Sequence, residues 1–287
     1  MGAGCAKGCG IGCGVATLVV GLVVAVGVAW MRPAIEEARG AEAAGERLEA
    51  SLGTLDDWTP DAAHPLPPER LDTFLAVRSA SSPEAAALES LLADTPPDAL
   101  TDEQTSAKAK VGAVLRMLRR MIGSVAAYLT ARDEALLESG MGPGEYGWIY
   151  VLSYHSWLGA PVDAGPVVTK PVGRQVSPRT GERLFGEDHD RYSPSRVRRA
   201  VRRLCVPPFR RMVEAARRTG DPHLPELEAE LTRLESRPDA VPWEDGLPPE
   251  LAAVLAARRA ELEASWRPAV HPFDVVHLVD DDPRSKD

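Results

Sequence analysis

The hydrophobic pattern of the chain begins with a run that has no period. From residue 8 to residue 31 no side chain carries a charge, a run of 24 residues rich in Val, Gly and Ala. At about 1.5 Å per residue, a helix of that length crosses the ~30 Å hydrocarbon core of a bilayer with modest tilt. A secretory signal peptide is the rival reading, with residues 15–29 as its apolar part and Gly27 and Ala29 as small residues near a cleavage point. Lys7 is the only side-chain charge before the run, which continues through Trp30 and Met31 to Arg32. Trp30 sits where an interfacial aromatic belongs. The pattern therefore predicts a retained signal-anchor over residues 1–32, with the lipid bilayer as the partner of residues 8–31.

A helical period follows. Residues 34–55 are polar and Ala-rich and predict a juxtamembrane helix, part of a stalk and linker over residues 33–68 that ends in "DDWTPDAAHPLPP". Leu71, Phe74, Leu75 and Arg78 then recur at helical spacing behind Pro68. Ser82 and Pro83 read as the N-cap and first position of the next helix. "TDEQ" at residues 101–104 is a capping box that opens a long helix. Along it Val111, Leu115, Leu118, Ile122, Val125, Leu129 and Leu136 alternate steps of four and three, a heptad seam broken only by Arg132. With several other amphipathic helices present, the seam predicts an intramolecular bundle ahead of a dimer.

An aromatic helix is expected over residues 143–158, followed by an irregular Gly/Pro-rich loop over 159–193. Ser193 and Pro194 open an Arg-rich helix that Pro207 and Pro208 should kink or break and Gly220 should stop. Two more helices are expected at 222–235 and 248–266, and residues 271–287 read as a charged tail. The fold class is all-α: one transmembrane helix, then a helical domain over residues 69–270, with roughly seven soluble helices in all.

Charge changes this picture little. The formal net charge of -9 is unevenly distributed: residues 32–105 hold 16 acidic and 5 basic side chains, for -11, while residues 191–218 hold 10 Arg against Glu214, for +9. Internal neutralisation is the simple reading. Nucleic acid is an unfavoured partner, because acidic flanks repel phosphate and no stacking aromatics interleave the arginines. Cys5, Cys9 and Cys13 lie at the start of the chain and leave Cys205 alone in the domain, so no disulfide can form within it. Those three cysteines suit acylation better than metal, lacking a fourth ligand. Gly4, Gly8 and Gly12 repeat every four residues and would give the anchor a small-residue strip for self-association.

Candidate chemistry concentrates on the aromatic helix. Tyr146, Tyr150, Tyr154 and Trp157 step by four, four and three, with Trp148, Leu152 and His155 on another face and Glu145 in the first turn. Glu145, Trp148, Tyr150, Tyr154 and His155 are thus the residues to line a ligand or partner groove, against the alternative that the aromatics fill the bundle core. Glu187, Asp188, His189 and Asp190 form a second polar cluster, which reads first as a solvated loop. The motifs of zinc sites, nucleophile elbows and phosphate loops do not occur, and the residues assign no catalytic group, metal or cofactor.

"ERLDTFLAVR" at residues 69–78 and "GMGPGEYGWI" at residues 140–149 resemble phrases in uncharacterised helical, membrane-anchored or exported proteins of GC-rich bacteria. The resemblance implies an all-α bacterial envelope protein and transfers no catalytic residue. Arg32, Arg39 and Arg47 beyond the apolar run would hold the domain in the cytoplasm. The signal-anchor layout favours export, and a cell-membrane protein with its domain outside the cytoplasm is expected. A binding or envelope-organising role fits this best. The alternatives are an enzyme built on the aromatic helix or on residues 187–190, and a cytoplasm-facing regulator that uses the Arg-rich helix.

Overall fold

The computed structural model describes residues 9–93, 107–165 and 193–280, and for residues 9–29, 107–111, 114 and 280 the backbone only. Every regular element among them is helical: α1 (Cys9–Leu52), α2 (Pro68–Ala80), α3 (Ser82–Ala93), α4 (Ala107–Ser139), α5 (Pro143–Tyr150), α6 (Pro194–Thr219), α7 (Leu224–Ser236), α8 (Pro249–Ala257), α9 (Arg259–Ser265) and α10 (His271–Asp280). The all-α class holds. Among the described residues no helix is long and apolar enough to cross a membrane. The expected span over residues 8–31 lies outside the described side chains, apart from Trp30 and Met31.

α1 and α4 lie side by side and run in the same direction. Arg119 stands over the Trp30 ring at 5.1 Å. Further along, Gly123 faces Glu37, Arg47 meets Glu134 at 3.6 Å, and Gly142 lies under the Leu52 carbonyl. Buried Ala34, Ala44 and Leu48 on α1 answer the heptad stripe of α4. The seam is therefore used inside the chain, and small residues on α1 let the two helices approach closely. Arg132 breaks the stripe but is itself buried, paired with Asp133 at 2.8 Å.

The main core surrounds α5. Tyr146, Trp148, Ile149 and Tyr150 are all buried, as a helix apolar on every side must be. Gly147 lets α6 approach: a Cβ there would meet Leu204 Cδ2 at 2.7 Å. α5 continues without a break into a π-helical segment, Val151–Trp157, where α-helix was expected throughout. The Leu158 amide closes its last turn on the Ser153 carbonyl at 3.2 Å.

Several expected boundaries move. Residues 271–280, read as charged tail, form α10, and Val275, Val276 and Leu278 join the main core. The charge lies in the acidic residues that follow, and the apolar residues before them give this stretch its face. The stalk over residues 33–68 is not a separate spacer either: Leu48, Leu55 and Leu66 are core residues, and Trp58 packs on Trp148 at 6.2 Å. α6 runs through Pro207 and Pro208 without interruption. Leu204, Cys205, Pro208, Phe209 and Met212 form one buried flank, so packing carries the helix past two missing backbone bonds. The helix expected at 248–266 is divided into α8 and α9 at Arg258.

Most arginines of α6 find partners within the fold. Arg203 and Arg211 both bind Asp56, at 2.6 and 3.2 Å, and Arg211 also donates to the Trp58 carbonyl. Arg202 donates to the Leu234, Glu235 and Arg237 carbonyls at the carboxyl end of α7, where the helix dipole favours a cation. Arg210 and Arg217 pair with Glu235 and Glu228.

Candidate functional site

The aromatic helix sends its expected site residues in three directions. Glu145 turns outward and is held by Arg70, which donates from Nε and Nη2 to its two carboxylate oxygens at 2.6 Å each. That hydrogen bond raises the Arg70 pKa, outweighing the partial burial that lowers it. Trp148 faces α6, packed against Trp58, Phe209 and Trp243, with its indole N–H donated to the Pro65 carbonyl at 2.9 Å. Tyr150, Tyr154 and His155 do come together, and all three are buried. Tyr150 and Tyr154 meet edge-on at 4.8 Å, and His155 lies 6.0 Å from Tyr150. Of the glycine strip, Gly12 belongs to the backbone of α1, while Gly4, Gly8 and residues 187–190 lie outside the described residues.

Beside the tyrosines is a buried charge pair with no counterpart in the expected site. Arg78 of α2 meets Asp274 of α10 at 2.9 Å, with both side chains almost wholly out of water. Arg78 Nη1 also donates to the Tyr128 and Tyr146 hydroxyls at 3.1 and 3.0 Å, and Nη2 to the Ser265 carbonyl at 3.1 Å. Tyr128 donates in turn to the other Asp274 oxygen. Burial opposes the charge of Arg78, but Asp274 more than restores it, and the guanidinium stays ionised. Burial pushes the Tyr128, Tyr146 and Tyr150 hydroxyls well above the ordinary phenol range.

Two histidines complete the network, and their tautomers follow from their partners. A carbonyl only accepts, so His271 carries its proton on Nε2, bound to the Val162 carbonyl at 3.0 Å. Its Nδ1 therefore accepts from the Tyr150 hydroxyl at 2.9 Å. His155 likewise donates Nδ1–H to the Ala160 carbonyl at 2.9 Å, leaving Nε2 buried and without a partner. Burial pushes the His155 pKa down to about 3, and it also lowers that of His271. Both rings are neutral at physiological pH.

Ser153, Ser156 and Trp157 also hold buried polar atoms without partners, so four such side chains fall in the π segment. Polar atoms left unpaired in a protein interior call for a reason, and π segments recur at functional sites. The network reaches the surface through Tyr154, whose hydroxyl bonds Ser265 Oγ at 2.7 Å. Ser265 and Arg78 line a cleft of about 300 Å³ together with Ser81, Ser82, Glu261 and Arg267.

Most polar side chains of that cleft already have partners within the fold. Arg267 bonds Glu89 at 2.9 Å and Ser82 Oγ at 3.0 Å, while Ser81 Oγ and Ser265 Oγ donate to helix carbonyls. The partners of these serines are helix carbonyls, the Arg267 guanidinium and the Tyr154 hydroxyl. Among the described residues no group of three or more His, Cys, Asp or Glu is placed to hold a metal ion.

Sequence reasoning put Arg78 on the apolar stripe of α2 without drawing the consequence. A charged residue on a buried face requires a buried partner. Asp274 was hidden in a stretch read as tail. Comparison with protein-family models, with curated proteins and with solved structures finds no significant match to the chain.

Proposed function

We propose that the protein is a single-pass membrane protein, anchored by residues 8–31, whose helical domain lies outside the cytoplasm and serves a binding or envelope-organising role. The observation that carries this reading is the continuity of α1. One helix runs from Cys9 to Leu52, so the uncharged run and the packed stalk belong to a single element. At about 1.5 Å per residue its 44 residues measure roughly 66 Å, more than twice the ~30 Å core of a bilayer. The far end of the helix is fixed in the domain core by Leu48. The four-residue spacing of Gly4, Gly8 and Gly12 in the sequence suits self-association of that anchor. A binding role fits a domain whose open cleft is lined by polar side chains and whose buried titratable groups are shielded from solvent.

Topology is the test. A reporter active only outside the cytoplasm is fused to the carboxyl terminus, and the size of the mature chain is measured. Activity on a full-length, membrane-bound chain is expected. Activity on a shortened, soluble chain would make the apolar run a cleaved signal. An inactive reporter on a stable full-length chain would place the domain in the cytoplasm.

A further inference from the structure

The buried tyrosine hydroxyls of the network meet chemically different partners. Tyr128 donates to Asp274, whose carboxylate is already the counter-ion of Arg78. Tyr146 accepts from Arg78 at 3.0 Å, and its own proton faces the same carboxylate at 3.4 Å. Tyr154 bonds a serine hydroxyl. Among the described tyrosines, Tyr150 is the one that donates to a neutral base, Nδ1 of His271 at 2.9 Å. That difference matters for loss of an electron. A phenol radical cation is costly in a protein interior, so the proton must leave with the electron. At Tyr128 it would go to Asp274 and strip Arg78 of its counter-ion. At Tyr150 it has an acceptor that no ion pair depends on.

A file of rings joins Tyr150 to the surface. Its centroid lies 4.8 Å from that of Tyr154, which lies 4.9 Å from that of Trp266. Tyr150 and Tyr154 are fully buried, whereas Trp266, just past α9, is partly exposed. Rings at these separations are in contact, and electrons cross such contacts without a mobile carrier. The Arg78 guanidinium stands 5.6 Å over the Tyr150 ring and 5.7 Å over the Tyr154 ring. A cation there disfavours positive charge on either ring, which ties oxidation to proton transfer. Burial and Arg78 oppose an imidazolium at His271, while the Val162 carbonyl, Asp274 and Asp163 favour it. His155, 4.9 Å away ring to ring, is neutral and adds no charge.

We propose that Tyr150 and His271 form a redox-active pair, which gives one electron through Tyr154 and Trp266 to a one-electron oxidant at the surface, an oxidising radical or a high-potential metal complex. The oxidant gains the electron at Trp266, and the hole passes inward to Tyr150. The phenolic O–H bond of Tyr150 breaks as its proton moves to Nδ1 of His271. The products are a neutral phenoxyl radical, an imidazolium and the reduced oxidant. Return of an electron from a reductant sends the proton back and restores the pair. This function goes beyond the binding role and does not depend on the anchor.

The test uses the full chain in detergent with Tyr192→Phe, which leaves Tyr128, Tyr146, Tyr150 and Tyr154, all buried. The oxidant is a trivalent ruthenium tris-bipyridine complex generated by a flash, and the radical is followed by electron paramagnetic resonance and transient absorbance. A tyrosyl radical should form. Tyr150→Phe should abolish it, and His271→Gln, which keeps a polar partner without its basicity, should lower its yield. Trp266→Leu should slow its formation. Circular dichroism checks that each variant is folded. On the chain with His271 intact, formation should not depend on buffer concentration between about pH 7 and 9, above the ordinary imidazole pKa and below that of a phenol. That measurement decides the matter if the core variants do not fold. A rate that climbs with buffer concentration would overturn the proposal, because water or buffer would then take the proton. So would an undiminished tyrosyl signal in folded Tyr150→Phe or His271→Gln, an unchanged rate in Trp266→Leu, or a flash that yields a tryptophan radical and no tyrosyl.

Discussion

One stripe on α4 meets two fates. At its carboxyl-terminal half Leu129 is 6% exposed and Leu136 fully buried, with Tyr128 and Arg132 buried beside them. At its amino-terminal half Leu115 occupies the same heptad position as Leu129 and Leu136, and it and Leu118 are each 40% exposed. Residue type and heptad position are the same at Leu115, Leu129 and Leu136, so neither sets the difference. Neighbours do. Both halves lie beside α1, but the buried half also meets α3 and the Tyr128–Asp274–Arg78 network. A heptad names the face of a helix that wants cover and says nothing about what supplies it.

The largest effect is expected where the buried half meets charge. Asp274→Asn leaves the Arg78 guanidinium buried without its counter-ion and should cost about 3–5 kcal/mol of unfolding free energy. Denaturant titration of the detergent-solubilised chain measures it. A loss no larger than that of an exposed substitution would mean that the network does not hold the core.

Two glycines separate the regions next. Gly147→Ala drives a methyl into Leu204 within the core and should destabilise by about 1–3 kcal/mol through overpacking. Gly123→Ala, at the α1–α4 seam, meets only the movable carboxylate of Glu37. It gains up to about 1 kcal/mol of helix propensity and should be neutral or stabilising. Thermal unfolding of the two variants should therefore shift in opposite directions or differ clearly in size.

The last effect is one of pH and belongs to the core. His155 titrates near its ordinary value of 6.5 when unfolded and at about 3 when folded. Between those values the unfolded chain binds the extra proton. Stability is therefore full above pH 6.5 and falls as pH drops toward 3, with a slope approaching about 1.4 kcal/mol per unit. His271, lowered in the same direction, adds to the slope. His155→Gln should flatten the wild-type dependence between pH 5 and 6.5, where carboxylates are largely ionised. An unchanged slope would show that the ring is not buried neutral.

Much of the architecture was legible because it is local. Pro194 at the start of α6 and Gly220 at its end, with φ of 70°, are short-range signals that fix its boundaries. The heptad of α4 and the all-round apolar character of α5 gave those helices and their burial. The site was less legible because its key contacts join distant parts of the chain. Arg78 and Asp274 are 196 residues apart, and nothing local tells Asp274 from the other acidic side chains. α10 was missed for a related reason: acidic residues just beyond it masked an apolar face made by Val275, Val276 and Leu278. Pro207 and Pro208 were read by backbone chemistry alone, and the buried flank of α6 overrode them.

The most direct test of the two-fate account is a pair of matched substitutions on the stripe. Leu136→Ala should cost about 2–5 kcal/mol of unfolding free energy, the range for a buried leucine. Leu115→Ala, at the same heptad position but 40% exposed, should stay within about 0.5 kcal/mol, as exposed sites do. Equal losses at the two positions would contradict the account, because both halves of α4 would then be buried in the same core.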